Sequence, residues 1–171
     1  GQLYVNLHTP ANPSGEIRGQ IAPPPIEVLF TDLSGDQEVP PVVSAASGIA
    51  ASTVDRDTGT VTLHLNASGA DDAVASHIHT APIGQNGPVL IALTQDMTNI
   101  GHWSVVGERF DSDALANYKG GQLYVNLHTP ANQSGEIRGQ IVPPDAADVD
   151  VQAPTVSLRC PGDTVSGTVT L

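Results

Sequence analysis

The feature that most constrains the fold is a duplicated segment. Residues 1–21 recur as residues 121–141 with one difference, Pro13 against Gln133, so the spacing from Gly1 to Gly121 is 120 residues. A fixed period of this kind is the signature of a tandem array in which each repeat is one packed unit. We therefore expect residues 1–21 to end one repeat and residues 121–141 to end the next.

Composition favours strands over helices. Charged residues make up only 14% of the chain, and short alternating runs of Val, Ile, Leu and Thr are separated by Gly, Pro and Asp. Seven or eight such strands predict an all-β fold, an antiparallel Greek-key-like β-sandwich with partial repeats on either side. The only helix expected covers residues 111–120, capped by Asp111 or Ser112 and ended by Gly120.

Two hairpins are predicted by their alternation and turns. Residues 48–54 and 60–65 flank an Asp- and Gly-rich turn, and residues 123–128 and 136–141 form the closing hairpin. The strand at 123–128 alternates between two faces. Its core face would carry Leu123, Val125 and Leu127, and its outer face Tyr124, Asn126 and His128.

Proline-rich segments divide the chain into five expected parts. Residues 1–22 would be the C-terminal end of a preceding repeat, and residues 23–25 a proline linker. Residues 26–142 would form one complete domain, since a single core of ordinary size fits this length. Residues 143–150 would be a second linker and residues 151–171 the start of another domain.

The charge balance excludes some partners. The net charge is −12, from six Lys and Arg against eighteen Asp and Glu, and no basic cluster is present to neutralise phosphates, so nucleic acid is not expected as a partner. No apolar run approaches the roughly 20 residues of a membrane span. The expected partners are neighbouring repeats or further copies of the chain.

Three ordered motifs carry a family resemblance. They are Ser-Gly-Asp-Gln-Glu-Val-Pro-Pro at 34–41, Ser-His-Ile-His-Thr-Ala-Pro at 76–82 with Asn-Gly-Pro at 86–88, and Leu-Tyr-Val-Asn-Leu-His-Thr at 123–129 with Ser-Gly-Glu-Ile-Arg-Gly at 134–139. Together they resemble the CHRD (chordin-type) domain over roughly residues 26–142.

The resemblance implies an extracellular location. Similar domains occur in bacterial secreted proteins, so it points to a bacterial-type repetitive protein that is secreted or displayed on the cell surface. The family is named after chordin, an extracellular antagonist of growth factors, and binding of a protein ligand is one function that the name implies. Residues 153–171 resemble the opening strands of bacterial Ig-like modules, which is why an Ig-like domain is expected from residue 151.

The best candidate site is His77-Ile78-His79. Alternate strand residues point to one face, so the two imidazoles would stand side by side with Ile78 directed to the core. His128 could bring a third imidazole to the same surface. Three neutral imidazoles with an open position suit copper or zinc, whereas calcium and magnesium prefer oxygen ligands.

The His-x-His strand is similar in pattern to the copper site of copper-zinc superoxide dismutases, and the sandwich could be Ig-like or superoxide-dismutase-like. The chain has no second cluster matching that family's zinc ligands and no cysteine pair. The alternative is that His77, His79 and His128 are outward polar residues that hydrogen-bond neighbouring loops and fix the sheet register. His102 could be a fourth member of the cluster, but packing or surface exposure is the stronger expectation for it.

Other chemistry is not supported by the sequence. Glu136 and Arg138 alternate on one strand, and we expect them to form a structural ion pair across the hairpin. No Ser-His-Asp constellation, phosphate loop or paired-carboxylate motif is recognisable, so an ordinary hydrolase is disfavoured and neither catalytic nor cofactor-binding residues are assigned.

Two functions remain. The leading hypothesis is a structural or adhesive repeat module of a large secreted or cell-surface protein, which forms filaments by strand exchange between subunits. The alternative is an extracellular copper- or zinc-binding protein with redox, dismutase-like chemistry. That alternative is the only enzymatic one.

Overall fold

The computed structural model describes residues 3–21 and 25–147, so the Ig-like module expected at 151–171 lies outside the described residues. The strands are β1 (Leu3–Leu7), β2 (Ile17–Ile21), β3 (Ile26–Ser34), β4 (Ser47–Asp55), β5 (Thr60–Ser68), β6 (Ala75–Thr80), β7 (Val89–Ala92), β8 (Thr94–Asp96), β9 (Asn99–Arg109), β10 (Leu123–His128) and β11 (Ile137–Ile141). One α-helix, α1, spans Ser112–Lys119, and two short 3-10 turns cover Gly35–Gln37 and Pro144–Ala147.

Nine strands form one antiparallel sheet in the order β7-β6-β10-β11-β3-β4-β5-β9-β8. The sheet curves into a sandwich-like, nearly closed barrel, which confirms the predicted all-β class. The first strand of this sheet in the chain, β3, pairs with the last one, β11. The closing hairpin, β10 and β11, therefore lies between β6 and β3 in the interior of the sheet and not at an edge. We call β3 to β9 with α1 the body, and residues 123–141 the second hairpin.

The core is built by alternation. In β4 and β5, Ala50, Val54, Leu63 and Leu65 face inward and are almost completely buried, because successive side chains in a strand point to opposite faces. The helix closes one end of the core with Tyr118. As predicted, the Asp111 side chain caps α1 by accepting from the Ala114 amide, and Gly120 follows its last turn.

The second hairpin is buried on both faces. Every residue of β10 and β11 is buried. Leu123, Val125 and Leu127 point into the core, as predicted. The opposite face, expected to be the outer one, is covered by the loops at 35–41 and 81–88, whose groups contact Asn126 and Arg138.

Residues 3–21 form a separate two-stranded sheet, which we call the first hairpin. Its register, Leu3 opposite Ile21 and Leu7 opposite Ile17, is that of the second hairpin. All of its strand residues except Asn6 are exposed. Within the described residues, no helix has the length and apolar character needed to cross a membrane.

Candidate metal centre

Strands β6 and β10 position the three predicted histidines. The two strands pair antiparallel with His77 opposite Asn126 and His79 opposite Tyr124. Ser76 and Ile78 occupy the core side of β6 and are buried there, so both histidines of the His-x-His motif project from the other side. His128 ends β10 on that same side.

The structure brings the three imidazoles together. One ring nitrogen from each of His77, His79 and His128 lies within 4.8 Å of the others, and this is the only such group of three or more potential metal ligands among residues 3–21 and 25–147. The closest pair is His77 Nδ1 and His128 Nε2, 3.0 Å apart. The ring centroids of His77 and His79 are 5.5 Å apart.

Main-chain carbonyls fix which nitrogen of two rings carries the proton. His79 Nδ1 donates to the Gly87 carbonyl at 3.0 Å, and His128 Nδ1 donates to the Gln133 carbonyl at 3.1 Å. In both rings the lone pair is therefore on Nε2. A carbonyl that orients a histidine through its second nitrogen is the usual outer support of a metal-binding imidazole.

One of these lone pairs has nothing to bond. His79 is only 7% exposed, and its Nε2 is buried without a hydrogen-bond partner in the described part of the chain. The His128 Nε2 accepts from His77 Nδ1, because its own proton is on the other nitrogen. Buried polar atoms are nearly always paired, so the unpaired Nε2 of His79, which lies beside two further imidazoles, is a group that could accept a cation.

Burial keeps the cluster neutral. Desolvation lowers the pKa of His77, His79 and His128, and the hydrogen bonds to Gly87 and Gln133 only partly oppose this for the two buried rings. His77 also lowers the pKa of His79 and His128 through charge repulsion, and His79 lowers the pKa of His128 in the same way. Neutral imidazole is the form that binds a metal, so the protons that would compete with a cation are already disfavoured.

The donor set suits zinc or copper. Zinc lies about 2.0–2.1 Å from imidazole nitrogens in tetrahedral sites, which places two ligand atoms about 3.3 Å apart. The His77–His128 pair, at 3.0 Å, is near that spacing already. To act as a ligand through Nδ1, His77 would carry its proton on Nε2 instead.

A second layer supports His79. Its ring stacks on Tyr124 with centroids 4.8 Å apart and planes 11° apart, and the Arg138 guanidinium lies 3.5 Å from the centre of the Tyr124 ring. Gly87 passes so close to β6 that a Cβ there would collide with the Thr80 carbonyl. Only glycine at 87 lets the carbonyl reach His79. Asn86 and Gly87 belong to the second of the three sequence motifs, but the role of Gly87 as a histidine support was not predicted.

His102 belongs to another cluster. Its Nε2 lies 3.1 Å from His64 Nδ1, the two rings stack 5.3 Å apart, and its Nδ1 is 3.5 Å from an Asp96 carboxylate oxygen. These residues come from β5, β8 and β9 and not from the strands that carry the candidate centre. His102 is therefore not a fourth member of the centre.

The predicted ion pair between Glu136 and Arg138 is wrong. Glu136 accepts from Ser44, Thr129 and Asn132 in the hairpin loop. Arg138 donates to the Gln85 and Pro82 carbonyls and to Gln140. The loop covering β11 offers main-chain oxygens directly to the guanidinium, and a contact of that kind has no sequence signature.

The carboxyl group of Glu38 interacts electrostatically with Arg138, and no role was predicted for it from the sequence. Glu38 is buried, accepts from Asn126 at 3.5 Å, and has one carboxylate oxygen without a partner in the described residues. Desolvation raises its pKa to about 7, although Arg138 and the Asn126 hydrogen bond oppose the shift. The group lies in the first of the three sequence motifs, and its burial depends on the loop that folds over β10 and β11.

Comparison with known proteins gives a family but no close relative. No curated protein and no solved structure matches the chain. The family model described as "CHRD domain" matches residues 1–21 and 29–141, which is most of the chain and includes both hairpins. CHRD domains are of an extracellular type. The chain belongs to the CHRD domain family.

Proposed function

We propose that this chain is a structural repeat module of a secreted or cell-surface protein, and that repeats join by strand exchange, in which the second hairpin of one copy leaves its body and the first hairpin of another copy takes its place. Residues 1–22 are then the end of a preceding repeat, and residues 26–142 a complete one. Joining copies head to tail in this way gives filaments, because a heterologous contact that does not close into a ring continues indefinitely.

One observation carries the proposal: the same sequence occurs once with its apolar face buried and once with it exposed. Leu3, Val5 and Ile17 are 64–70% exposed, and their counterparts Leu123, Val125 and Ile137 are fully buried. An isolated two-stranded hairpin is marginally stable in water, and a contiguous exposed apolar patch marks an interaction surface. When this sequence is docked, as in the second hairpin, β6 pairs with one edge of it and β3 with the other, and its apolar residues join the core.

A glycine supports the same conclusion. A Cβ on Gly139 would lie 2.5 Å from the Asp32 carbonyl of β3 and 2.7 Å from the Thr31 methyl, whereas a Cβ on Gly19 would meet nothing within 4 Å. Glycine at this position is required by docking against β3 and not by the hairpin itself. Its presence at position 19 is explained if the first hairpin also docks.

The matched variants Gly19→Ala and Gly139→Ala test the proposal. The full chain is unfolded in urea, refolded at high protein concentration, and examined by light scattering and electron microscopy. Gly139→Ala should destabilise closure by roughly 1–3 kcal/mol through overpacking, and so favour head-to-tail association through first hairpins. Gly19→Ala should leave the unfolding midpoint unchanged and abolish association. Equal association by the two variants would contradict the proposal.

A second function, binding of copper or zinc, is favoured by the unpaired His79 Nε2 beside two further imidazoles. Protein purified without a nickel column should bind about one equivalent of Zn²⁺ or Cu²⁺, and His77→Ala or His79→Ala should weaken binding at least tenfold. His64→Ala is the matched control, since it removes an imidazole from the other cluster, and it should bind metal like the wild type.

Binding of less than about half an equivalent, unchanged by His77→Ala, would exclude the metal centre. The redox alternative is tested separately. The copper-loaded chain should consume superoxide faster than the zinc-loaded chain if the bound copper cycles between oxidation states, and the two should be equal if the metal is structural.

A further inference from the structure

We propose that Glu38 is a proton-operated latch: when neutral it donates a hydrogen bond to Asn126 and holds the 35–41 segment on the second hairpin, and when ionised it releases that segment. The latch itself does not depend on the proposed function. Its consequence for assembly rests on that function, since the 35–41 segment covers the outer face of the hairpin that strand exchange has to release.

Two buried oxygens at this contact lack a partner. Glu38 is 5% exposed and Asn126 2% exposed, and neither Glu38 Oε1 nor Asn126 Oδ1 has a hydrogen-bond partner among the described residues. Both lie against Gly135, where a Cβ would collide with Glu38 Oε1 and with the Asn126 amide. Unpaired buried oxygens are rare. One proton satisfies two neighbouring acceptors, and a neutral carboxyl group carries that proton.

A third acceptor fixes the orientation of the Asn126 amide. Its Nδ2 donates to the Ser134 carbonyl at 3.4 Å, and Nδ2 of Asn6 makes the same bond to the Ser14 carbonyl at 3.4 Å. Because a carbonyl oxygen only accepts, Nδ2 faces Ser134 and Oδ1 faces away from it. Turning the amide would satisfy Oδ1 and leave the Ser134 carbonyl unpaired. An ionised Glu38 would therefore set a second acceptor beside Oδ1, which a neutral Glu38 does not.

Burial keeps the proton on Glu38 up to neutral pH. Desolvation raises the pKa of Glu38 to about 7, and the charge of Glu136 adds to the shift. Arg138 and the Asn126 hydrogen bond oppose it, as does a bond from the main chain of Val39. Because the raising effects are larger, the group is neutral below pH 7 and ionises in mildly alkaline solution.

Few other titratable groups surround the latch. Arg138 and Glu136, both from the second hairpin, are the charged residues that act on Glu38. The loops at 81–88 and 129–135 contain no titratable residue. Asp36 of the same segment is exposed. His77 lies opposite Asn126 on β6, and because burial lowers its pKa it stays neutral where Glu38 ionises.

The 35–41 segment is weakly tied to the second hairpin. In the described part of the chain two hydrogen bonds join them, and both are long: Asn126 Nδ2 to Glu38 Oε2 at 3.5 Å, and the Gln140 amide to Gln37 Oε1 at 3.4 Å. The bond from neutral Glu38 to Asn126 Oδ1 would be a third. Its loss, together with a buried charge, removes much of what holds the segment down.

A cavity gives the ionised group a route to water. It has a volume of about 380 Å³ and lies between the 35–41 segment and the 81–88 loop, with Glu38, Ile83 and Arg138 among its lining residues. Ionisation favours movement of the Glu38 side chain towards this space, because the charged form is the one that gains most from solvation. The segment then no longer covers Asn126.

The test follows the proton and the opening in the same sample of the full chain, with a chelator present. Carboxyl NMR should show Glu38 titrating near pH 7. The Gln140 amide, which donates across the joint, should lose at least about tenfold in protection from hydrogen exchange between pH 5 and pH 8, after correction for the intrinsic rate. The direction follows from linkage, since the closed state binds the proton more tightly than the open one. Ala50 in β4 should change much less.

Two variants separate the latch from its surroundings. Glu38→Gln keeps the shape and an N–H donor for Asn126 Oδ1 but cannot ionise, so Gln140 should stay protected at both pH values. Asp36→Asn is the matched control, because it removes an exposed carboxylate from the same segment, and it should respond to pH like the wild type. A Glu38→Gln chain that opens at pH 8 as the wild type does would overturn the latch.

The wild type decides the case in which Glu38→Gln does not fold. A Glu38 that is already ionised at pH 5 would overturn the latch. So would a Glu38 that titrates near pH 7 while the protection of Gln140 stays constant, since the proton would then be bound without holding the segment.

Assembly is tested separately from the latch. At high protein concentration, light scattering should show association of the wild type at least about tenfold faster at pH 8 than at pH 5, and slow association of Glu38→Gln at both. If Gln140 responds to pH and the rate of association does not, the link to strand exchange is overturned and the latch stands. If no association occurs at any pH, the proposed function is overturned and the latch again stands.

Discussion

The first and second hairpins share a sequence and a local structure but no tertiary environment. In both, the loop is held by the same bonds: the amide of Glu16 donates to the Leu7 carbonyl at 2.7 Å, and that of Glu136 to the Leu127 carbonyl at 2.7 Å. The threonine and asparagine of the loop donate to the glutamate in each copy. These loop bonds form with Pro13 in the first hairpin and with Gln133 in the second.

The differences all come from the body. Glu136 gains a bond from Ser44, Arg138 gains the carbonyls of the 81–88 loop, and Gly139 passes closely over β3. The comparison teaches that the repeated segment encodes its own hairpin and its loop, while its burial depends on a partner. Substitutions made in matched positions of the two hairpins can therefore separate local from tertiary contributions.

The largest expected difference is between Val125→Asp and Val5→Asp. Val125 is fully buried in the core and Val5 is 64% exposed. An unpaired carboxylate in the core should cost more than about 4 kcal/mol, a large part of the stability of an ordinary domain. Circular dichroism should show an unfolded body for Val125→Asp and an unchanged one for Val5→Asp. Equal loss would mean that the first hairpin is part of the same folding unit.

Arg138→Met and Arg18→Met should differ next. Arg138 is buried and bonds to the carbonyls of Gln85 and Pro82, so its loss leaves those oxygens unpaired and should lower the free energy of unfolding by about 2–4 kcal/mol. Arg18 is exposed, and its replacement should change stability by less than about 0.5 kcal/mol. Urea unfolding of both variants measures the difference, and a similar midpoint for the two would show that the loop bonds contribute little.

Glu38 should give the body a pH dependence that the first hairpin lacks. Its pKa in the folded protein is about 7 against the ordinary 4.5, so folding takes up a proton between these values. The contribution to stability is fully present below about pH 4.5 and is lost as the pH rises through 7, an effect of up to about 3 kcal/mol.

Urea unfolding of wild type and Glu38→Gln with a chelator present isolates this effect. The histidines of the candidate centre have lowered pKa values and act in the opposite direction, since their contribution is lost as the pH falls. Because both proteins contain these histidines, subtracting one free energy of unfolding from the other cancels the histidines' contribution. It should favour Glu38→Gln increasingly from pH 4.5 to 7 and then level off. If the difference in the free energy of unfolding did not change with pH, Glu38 would have an ordinary pKa in the folded protein. Two charged groups face it there: Arg138 lowers its pKa and Glu136 raises it.

Ser44→Ala should have the smallest effect. Among the residues that the structure describes, Ser44 is the one hydrogen-bond partner of Glu136 that comes from the body, and its hydrogen bond is the largest cause of the lowered pKa of Glu136. Its removal should raise that pKa and reduce stability by about 1 kcal/mol. Carboxyl NMR titration should show Glu136 moving and Glu16 unchanged. Movement of both would mean that the two loops are not independent.

Much of the candidate centre follows from the sequence. Period-two alternation places His77 and His79 on one face, and the pairing of β6 with β10 brings His128 to it. The Gly87 and Gln133 carbonyls that orient the rings could not be predicted. Their positions depend on the paths of two loops. Because every residue type has a main-chain carbonyl, the sequence carries no signal for such an acceptor.

The outer face of β10 and β11 could not be interpreted from the sequence for a related reason. The alternation separated Tyr124 and Asn126 from the core residues, but both are buried beneath the loops at 35–41 and 81–88. Alternation distinguishes two faces and does not say whether the second is covered. The mistaken Glu136–Arg138 pair has the same origin, since the covering loop supplies the partner of Arg138.

The sequence by itself determined the strands, the hairpin registers and the bonds within each hairpin loop, because each depends on residues within about 20 positions of one another. Only the tertiary structure decided which hairpin is buried, which carboxyl is desolvated and which imidazoles meet. Those outcomes depend on surfaces brought together from distant parts of the chain, and the two copies of one sequence show the difference directly: the same hairpin forms in both, and burial follows only where a body closes around it.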